Sequence, residues 1–392
     1  MEKVKYLIVG GGMAADAAVK GIRELDPQGS ILMISSDENP PYNRPPLSKA
    51  LWKGKPVDSI WRQPAGEKEY QLALGRTVAA IDAGKKTVND DLGQSYLYDR
   101  LLLATGGSPR HLPFEAQGVI YYRTFQDYQK LSGLAERKNR FAVIGSGFIG
   151  SEIAAALAMH QKEVLLFDIG PGIGWNIFPE KMVAYLNQYY QEKNVRMLAN
   201  QKITSVMKEG DKYLVSTENG EVFACDGVVA GVGIAPNLAL AESAGLDTGD
   251  GILVDEYLRT SSADIFAAGD VANFQNPLLG KRVRVEHADN ANAMGKQAGR
   301  NLAGARETYD YLPLFYSDLF DLGYEAVGEL DSRMMIIEDW QEPYQKGVLY
   351  YLDGERVRGV LLWNVWDQVD AARQVIGLPG PVSKEELIGR IA

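Results

Sequence analysis

Val4-Lys5-Tyr6-Leu7-Ile8-Val9-Gly10-Gly11-Gly12-Met13-Ala14-Ala15 is the stretch that decides the fold. An apolar run feeds three glycines and then small, helix-compatible residues. In that context a G-x-G-x-x-G/A spacing has a physical purpose. Gly10 makes the tight turn, Gly12 lets backbone approach a pyrophosphate, and Ala15 allows close packing of helix on strand. The anion then rests on the free N–H groups at the helix N-terminus. A lone glycine-rich turn is as often purely structural. Here the device recurs: Phe141-Ala142-Val143-Ile144 runs into Gly145-Ser146-Gly147-Phe148-Ile149-Gly150. Each fingerprint is followed by a second apolar run and then an acid, Ser30–Ile34 before Asp37 and Glu163–Phe167 before Asp168. An acid about 20 residues beyond the glycines accepts hydrogen bonds from a ribose hydroxyl. Two dinucleotide sites in one chain imply electron transfer between a flavin and a nicotinamide.

Composition narrows the setting. The 392 residues suffice for two or three domains. A net charge of −10 argues against nucleic acid or an anionic membrane as partner. No apolar run approaches transmembrane length and no basic-plus-apolar leader is present, so neither a membrane span nor secretion is expected. Cys225 is the single cysteine, which excludes an intramolecular disulfide and fits a reducing cytoplasm. His111, His160 and His287 are scattered, so no metal site is expected.

The repeated strand–helix–strand pattern predicts an α/β protein: two Rossmann-like dinucleotide-binding domains, for FAD and NAD, plus a small C-terminal α+β domain. The expected boundaries are 1–113 and 236–305 for the two parts of an FAD domain, 114–235 for the NAD domain and 306–392 for the last. Asp353-Gly354 between two apolar runs signals a hairpin. Helices are expected over 286–303, 367–376 and 383–391. Asp270 ends the run Asp264-Ile265-Phe266-Ala267-Ala268-Gly269, either as a helix cap or as a cofactor ligand.

The set Gly10–Ala15, Ala104-Thr105-Gly106-Gly107, Gly145–Gly150, Gly231-Val232-Gly233 and Ala268-Gly269-Asp270 resembles the two-dinucleotide-fold flavoprotein reductases. Pro41-Tyr42-Asn43-Arg44-Pro45-Pro46-Leu47-Ser48-Lys49, Arg284-Val285-Glu286-His287, Ser317-Asp318-Leu319, Gly323-Tyr324-Glu325-Ala326 and Leu362-Trp363-Asn364 narrow the resemblance to the apoptosis-inducing factor group. The NADH-dependent ferredoxin reductases share the first set more than the second. There are departures. Ser36 replaces the group's ribose-binding Glu, leaving the role to Asp37; His287-Ala288 replaces a His pair; Tyr316 replaces a Trp; Asn176 replaces a Lys. The long insertion of animal members has no counterpart around 338–346, so their cell-death functions do not carry over.

The resemblance implies an enzyme that moves hydride from NADH to FAD and then electrons to oxygen, a quinone or a ferredoxin-like carrier, without a redox-active disulfide. The alternatives are an NADH-dependent ferredoxin reductase, against which the chain's own acidity counts because such carriers are usually acidic, and a slow-turnover sensor that forms a homodimer on reduction. It implies FAD contacts from Gly10, Gly11, Gly12, Met13, Ala14, Ser36, Asp37, Arg44, Val78, Ala104, Thr105, Gly106, Arg110, Asp270, Glu286, His287, Ala288, Glu325 and Asn364. Gly145, Ser146, Gly147, Phe148, Ile149, Asp168 and Gly233 would serve NAD. Lys49 pairs with Glu152 beside the hydride-accepting atom; Phe148 covers the flavin and Tyr316 closes the other side. The stretch Leu165–Glu180 holds no Lys or Arg for a 2′-phosphate, which favours NADH over NADPH.

Overall fold

The computed structural model describes residues 1–62, 70–114 and 116–391. They form two compact units: one from Met1–Arg44, Val57–Ser108 and Ala235–Pro313, the other from Pro45–Pro56, Pro109–Ile234 and Leu314–Ala392.

In the first unit the strand Glu2–Val9 lies between Ile31–Ile34 and Ser95–Leu103, parallel to both. Strands covered on both faces read as unbroken apolar runs, which is why Leu7, Ile8, Leu101, Leu102 and Leu103 are fully buried. Ile265–Ala267 adds in parallel to Ser95–Leu103. An antiparallel pair, Val78–Asp82 and Thr87–Asp90, continues the sheet on that side. The helix Met13–Leu25 packs on Ala288–Leu302 at a distance only glycine permits. A Cβ on Gly295 would sit 2.3 Å from Ala14 O, and one on Gly299 2.1 Å from Ala18 O. The small-residue texture of both helices follows from this approach.

The second unit repeats the theme. Val195–Leu198, Glu163–Phe167, Arg140–Ile144, Gly227–Ala230 and Ile120–Tyr121 form a parallel sheet in that order. A three-stranded antiparallel sheet follows over Ile203–Cys225. Residues 314–391 build a five-stranded antiparallel sheet with the helix Val369–Ile376. The expected hairpin pairs Lys346–Asp353 with Arg356–Trp363 across the turn Gly354-Glu355, with Asp353 opposite Arg356.

The strand Ala272–Asn276 follows Asp270, which removes the helix-cap alternative for this acid. One expectation needs correction. The helix expected over 383–391 is the single turn Lys384–Leu387. A Ser383–Glu386 capping box starts it, but Ile388 is extended and Gly389 takes φ +71, which ends it.

Candidate dinucleotide and hydride-transfer site

In the first unit Gly10 adopts φ +117, and a Cβ there would lie 2.1 Å from Ala104 O. Its N–H donates to Ile34 O at 2.8 Å, closing the turn onto the neighbouring strand. A Cβ on Gly11 would meet Ser35 Oγ at 2.3 Å, while one on Gly12 would meet nothing within 4 Å. Gly12 caps the helix Met13–Leu25 without any side-chain hydrogen bond. The first-turn N–H groups therefore have no side-chain cap and adjoin the open position beside Gly12, which fits a pyrophosphate. Met13 and Ala14 are buried beneath them.

The surroundings are pinned. Asn237 Nδ2 donates to Thr105 O at 2.8 Å and Thr105 Oγ1 to Asn237 O at 3.2 Å, fixing the turn Ala104-Thr105-Gly106. A Cβ on Gly269 would come within 2.9 Å of Ala14 Cβ, so Asp270 follows a residue packed on the first helical turn. Arg284 ties that region together, donating to Asp270 O at 3.1 Å and to Glu286 Oε1 at 2.6 Å. His287 caps the helix Ala288–Leu302, again without a side-chain cap bond, and Ala288 is half-buried. Asp37 accepts from Asn39 N at 2.9 Å, Asn39 Nδ2 at 3.0 Å and Tyr42 OH at 3.0 Å, while Ser36 is exposed. The Arg44 guanidinium lies 5.3 Å from the Tyr42 ring centre. Val78 is buried opposite Asp90.

In the second unit Gly145 takes φ +94 and a Cβ there would lie 2.5 Å from Gly231 O. Gly150 touches Gly145 O so closely that a Cβ would fall at 1.8 Å. Gly147 caps the helix Phe148–Met159 with no side-chain bond, and a Cβ on it would meet nothing within 4 Å. The exposed Arg110 donates its N–H to Gly233 O at 2.9 Å, and Gly233 has φ +92. Asp168, 9% exposed, accepts four hydrogen bonds from protein donors: Ser146 N (2.6 Å), Ser146 Oγ (2.7 Å), Gly170 N (2.7 Å) and Trp175 Nε1 (3.0 Å). It is not a free acceptor waiting for ribose.

The same unit holds a charged cluster at the start of the helix Phe148–Met159. Lys49 Nζ lies 2.6 Å from Glu152 Oε1, with side chains only 10% and 2% exposed. Two hydroxyls complete the carboxylate: Ser317 Oγ donates to Oε1 at 2.6 Å and Ser48 Oγ to Oε2 at 2.5 Å. A buried pair is tolerable only with such additional hydrogen bonds. The segment carrying Lys49 is itself fixed. Tyr122 OH donates to Leu47 O at 2.6 Å, Trp52 Nε1 to the same oxygen at 2.9 Å, and His160 Nε2 contacts Trp52 O at 2.8 Å. Lys49 Nζ also sits 5.2 Å from the Tyr316 ring centre. Burial, with Glu152 and Asp318 nearby, pushes the Tyr316 hydroxyl pKa up. Phe148 packs edge-on against Phe315 at 5.5 Å, and Phe148, Ile149 and Tyr316 remain partly exposed around the ion pair.

Two further candidates are placed differently. Glu325 pairs across strands with Tyr316, and burial raises its carboxyl pKa; its Oε2 is buried without a hydrogen-bond partner. Asn364 spends its amide on backbone, accepting from Gly323 N at 2.8 Å and donating to Gln345 O at 2.8 Å. It shapes a loop and has little left for a ligand.

This geometry agrees with comparison to known proteins. The pyridine nucleotide-disulphide oxidoreductase family model matches residues 4–295. The chain belongs to that family. A second model, the C-terminal domain of mitochondrion-associated apoptosis-inducing factor, matches residues 335–377 of this oxidoreductase. Apoptosis-inducing factor 1 of Dictyostelium discoideum is 34% identical over 96% of the chain and 79% of its own length. The ferredoxin–NAD(+) reductase component of the anthranilate 1,2-dioxygenase system of Burkholderia cepacia is 34% identical over 96% of the chain and 95% of its own. The solved covalent putidaredoxin reductase–putidaredoxin complex aligns with TM-score 0.91 and 30% identity, over 99% of this chain and 96% of that one. The protein is an FAD- and NAD(H)-dependent oxidoreductase. The two open, uncapped helix N-termini have the chemistry that its two pyrophosphates need. Despite the family's description it cannot form a redox disulphide within the chain, since Cys225 is alone and buried.

Sequence reasoning missed Ser48, Ser317, Asn237 and Trp175. Strand alternation carried a signal for Ser317, because Tyr316 faces outward and its neighbour must then face in. Nothing local marked Trp175.

Proposed function

We propose that this oxidoreductase takes hydride from NADH held at the second fingerprint, with FAD held at the first. Electrons then pass to a small one-electron carrier protein of the ferredoxin type. Bound FAD supplies a two-electron acceptor that can release electrons singly. The observation that carries the reading is the buried Lys49–Glu152 pair, flanked by Phe148 and Tyr316. Lys49 provides a fixed positive charge where negative charge develops on hydride arrival; Glu152, Ser48 and Ser317 hold it at one position. Phe148 and Tyr316 offer aromatic surface to a planar nicotinamide and exclude water. Gly12, Thr105, Arg44 and Asp270 serve FAD, and Ser146, Gly147 and Asp168 serve NADH.

The carrier is favoured over a thiol acceptor by Cys225, whose burial pushes its thiol pKa up to about 11. Relatives with reductase names, for ferredoxin and for rubredoxin, support the same choice. A single cysteine and the lack, among the described residues, of a helix long and apolar enough to cross a membrane fit a cytoplasmic site of action.

Anaerobic stopped-flow reduction with NADH and NADPH, followed by mixing with ferredoxin, a quinone or air, tests the proposal. NADH should reduce the protein faster, and ferredoxin should reoxidise it faster than the other two. Faster reduction by NADPH overturns the nucleotide assignment. Reoxidation fastest in air or quinone overturns the carrier. A shift to dimer on NADH addition, read by sedimentation velocity, with slow reoxidation by all three, would favour the sensor reading instead.

A further inference from the structure

We infer that Trp175 competes with NADH for Asp168, occupying its ribose-accepting oxygen until the ribose displaces it. The inference rests on the proposed nucleotide site at the second fingerprint. A carboxylate offers about four lone-pair positions. Asp168 fills four with protein donors, Oδ2 from Ser146 N and Oγ, Oδ1 from Gly170 N and Trp175 Nε1. No position is left for a ribose hydroxyl unless a donor withdraws.

Only one donor is built to leave. Ser146 is 1% exposed, and its hydroxyl also lies 3.1 Å from Gly172 O. The Gly170 N–H is backbone in a segment anchored on Asn187, which accepts from Ile173 N at 3.1 Å and donates to Pro171 O at 2.9 Å. Trp175 is a side chain, 40% exposed, and its bond is the longest of the four. It can swing toward solvent without disturbing backbone.

A second observation shows that the indole's place is built in. Gly170 does not take a positive φ, so its backbone does not call for glycine. A Cβ there would meet the Trp175 ring at 2.3 Å. The missing side chain makes room for the indole against Asp168.

The exchange is open to NADH and closed to NADPH. A 2′-hydroxyl replaces the departing N–H with another donor, so the carboxylate stays satisfied. A 2′-phosphate brings acceptor oxygens and negative charge, and no residue from Leu165 to Glu180 is Lys or Arg. Displacing the indole would then leave Asp168 both short of a donor and repelled.

Calorimetric titration of the FAD-loaded protein with ADP-ribose, and with its 2′-phosphate, tests this. Neither probe carries nicotinamide, so no turnover intervenes. Trp175→Phe keeps the ring and removes the N–H; it should tighten ADP-ribose about fivefold, the worth of one released hydrogen bond, while the 2′-phosphate form stays the weaker binder because its repulsion by Asp168 remains. Gly170→Ala, which keeps the indole but pushes it off Asp168, should act in the same direction. Unchanged or weaker ADP-ribose binding in both variants overturns the inference. Asp168→Asn separates this from failure of the site itself. If Asp168→Asn leaves wild-type ADP-ribose affinity intact, the ribose does not bind here and the underlying assignment falls. If it weakens binding while the other two variants do nothing, only the role of Trp175 falls.

Discussion

The two glycine fingerprints share a turn and differ in everything attached to it. In both, the first glycine N–H closes onto the adjacent strand at 2.8 Å, through Ile34 O in one unit and Phe167 O in the other. In both, the second glycine has open space where a Cβ would stand. The next residue along the second strand is Ser35 in one and Asp168 in the other. Ser35 fills the room that Gly11 leaves, its Oγ 2.3 Å from a Cβ position. In the second fingerprint the relation is inverted: Ser146 supplies the hydroxyl and Asp168 accepts it. Each helix also buries an acid in its first turns, Asp16 against Arg62 at 2.6 Å and Glu152 against Lys49 at 2.6 Å. Arg62 also fastens Asn43 of the Pro-rich loop, whereas Lys49 stands beside exposed aromatic surface. One motif thus yields a site whose buried acid fastens a loop and a site whose buried acid holds a lysine beside partly exposed aromatic surface. That is the division expected between a resident cofactor and a substrate that must leave.

The largest test of this contrast is Lys49→Ala. It should destabilise the protein by about 3–5 kcal/mol, because Glu152 is left charged and buried, and it should also slow reduction by NADH. Replacing the pair together, Lys49→Met with Glu152→Gln, should recover most of the melting temperature but not the rate. Recovery of both would mean that the pair is structural, like Asp16–Arg62. Next come the two open glycines. Gly12→Ala should weaken FAD retention about tenfold or more, equivalent to about 1.4 kcal/mol, with NAD(H) binding unaffected. Gly147→Ala should do the converse, raising KM for NADH while the yellow protein keeps its FAD. If each variant harmed both ligands equally, the assignment of one nucleotide to each turn would fail. The smallest effect serves as a reporter. Cys225 lies in the second unit with its thiol pushed up to about 11, so iodoacetamide should label it at pH 8 only when that unit opens. Because the folded value is raised, the thiol's contribution to stability is complete below about pH 9 and is lost as pH rises toward 11. Labelling in Gly12→Ala should match the wild type, and faster labelling would mean that damage at the first turn spreads to the second unit.

What the sequence disclosed was what local rules control. The fingerprints, their parallel strands and the Asp353-Gly354 hairpin follow from periodicity and turn chemistry. The Lys49–Glu152 pair was readable only through family resemblance, since more than a hundred positions separate the partners and neither residue's neighbours announce the other. The state of Asp168 was misread because an acid at a strand end says nothing about its donors. Those come from Ser146, which precedes it, from the Gly170 N–H, and from Trp175, whose indole returns across a glycine-rich loop. Asp270 carried two readings for a related reason: an acid after glycine suits a helix cap or a ligand, and the strand Ala272–Asn276 removes the first.

The close packing of Met13–Leu25 on Ala288–Leu302 bears on how the chain is made. The first helix leaves the ribosome early, yet the glycines that accommodate it, Gly295 and Gly299, are encoded at the start of the last quarter. Ile265–Ala267, the strand that flanks Ser95–Leu103, also arrives late. At ordinary rates of synthesis the N-terminal helix waits roughly 15–50 s for its partner. During that interval the residues of the second fingerprint emerge and have their own strands at hand. Assembly therefore departs from sequence order: the parallel sheet around the second fingerprint, drawn wholly from 120–230, is complete before the first unit receives Ile265–Ala267 and Ala288–Leu302, while the second unit as a whole still waits for residues 314–391.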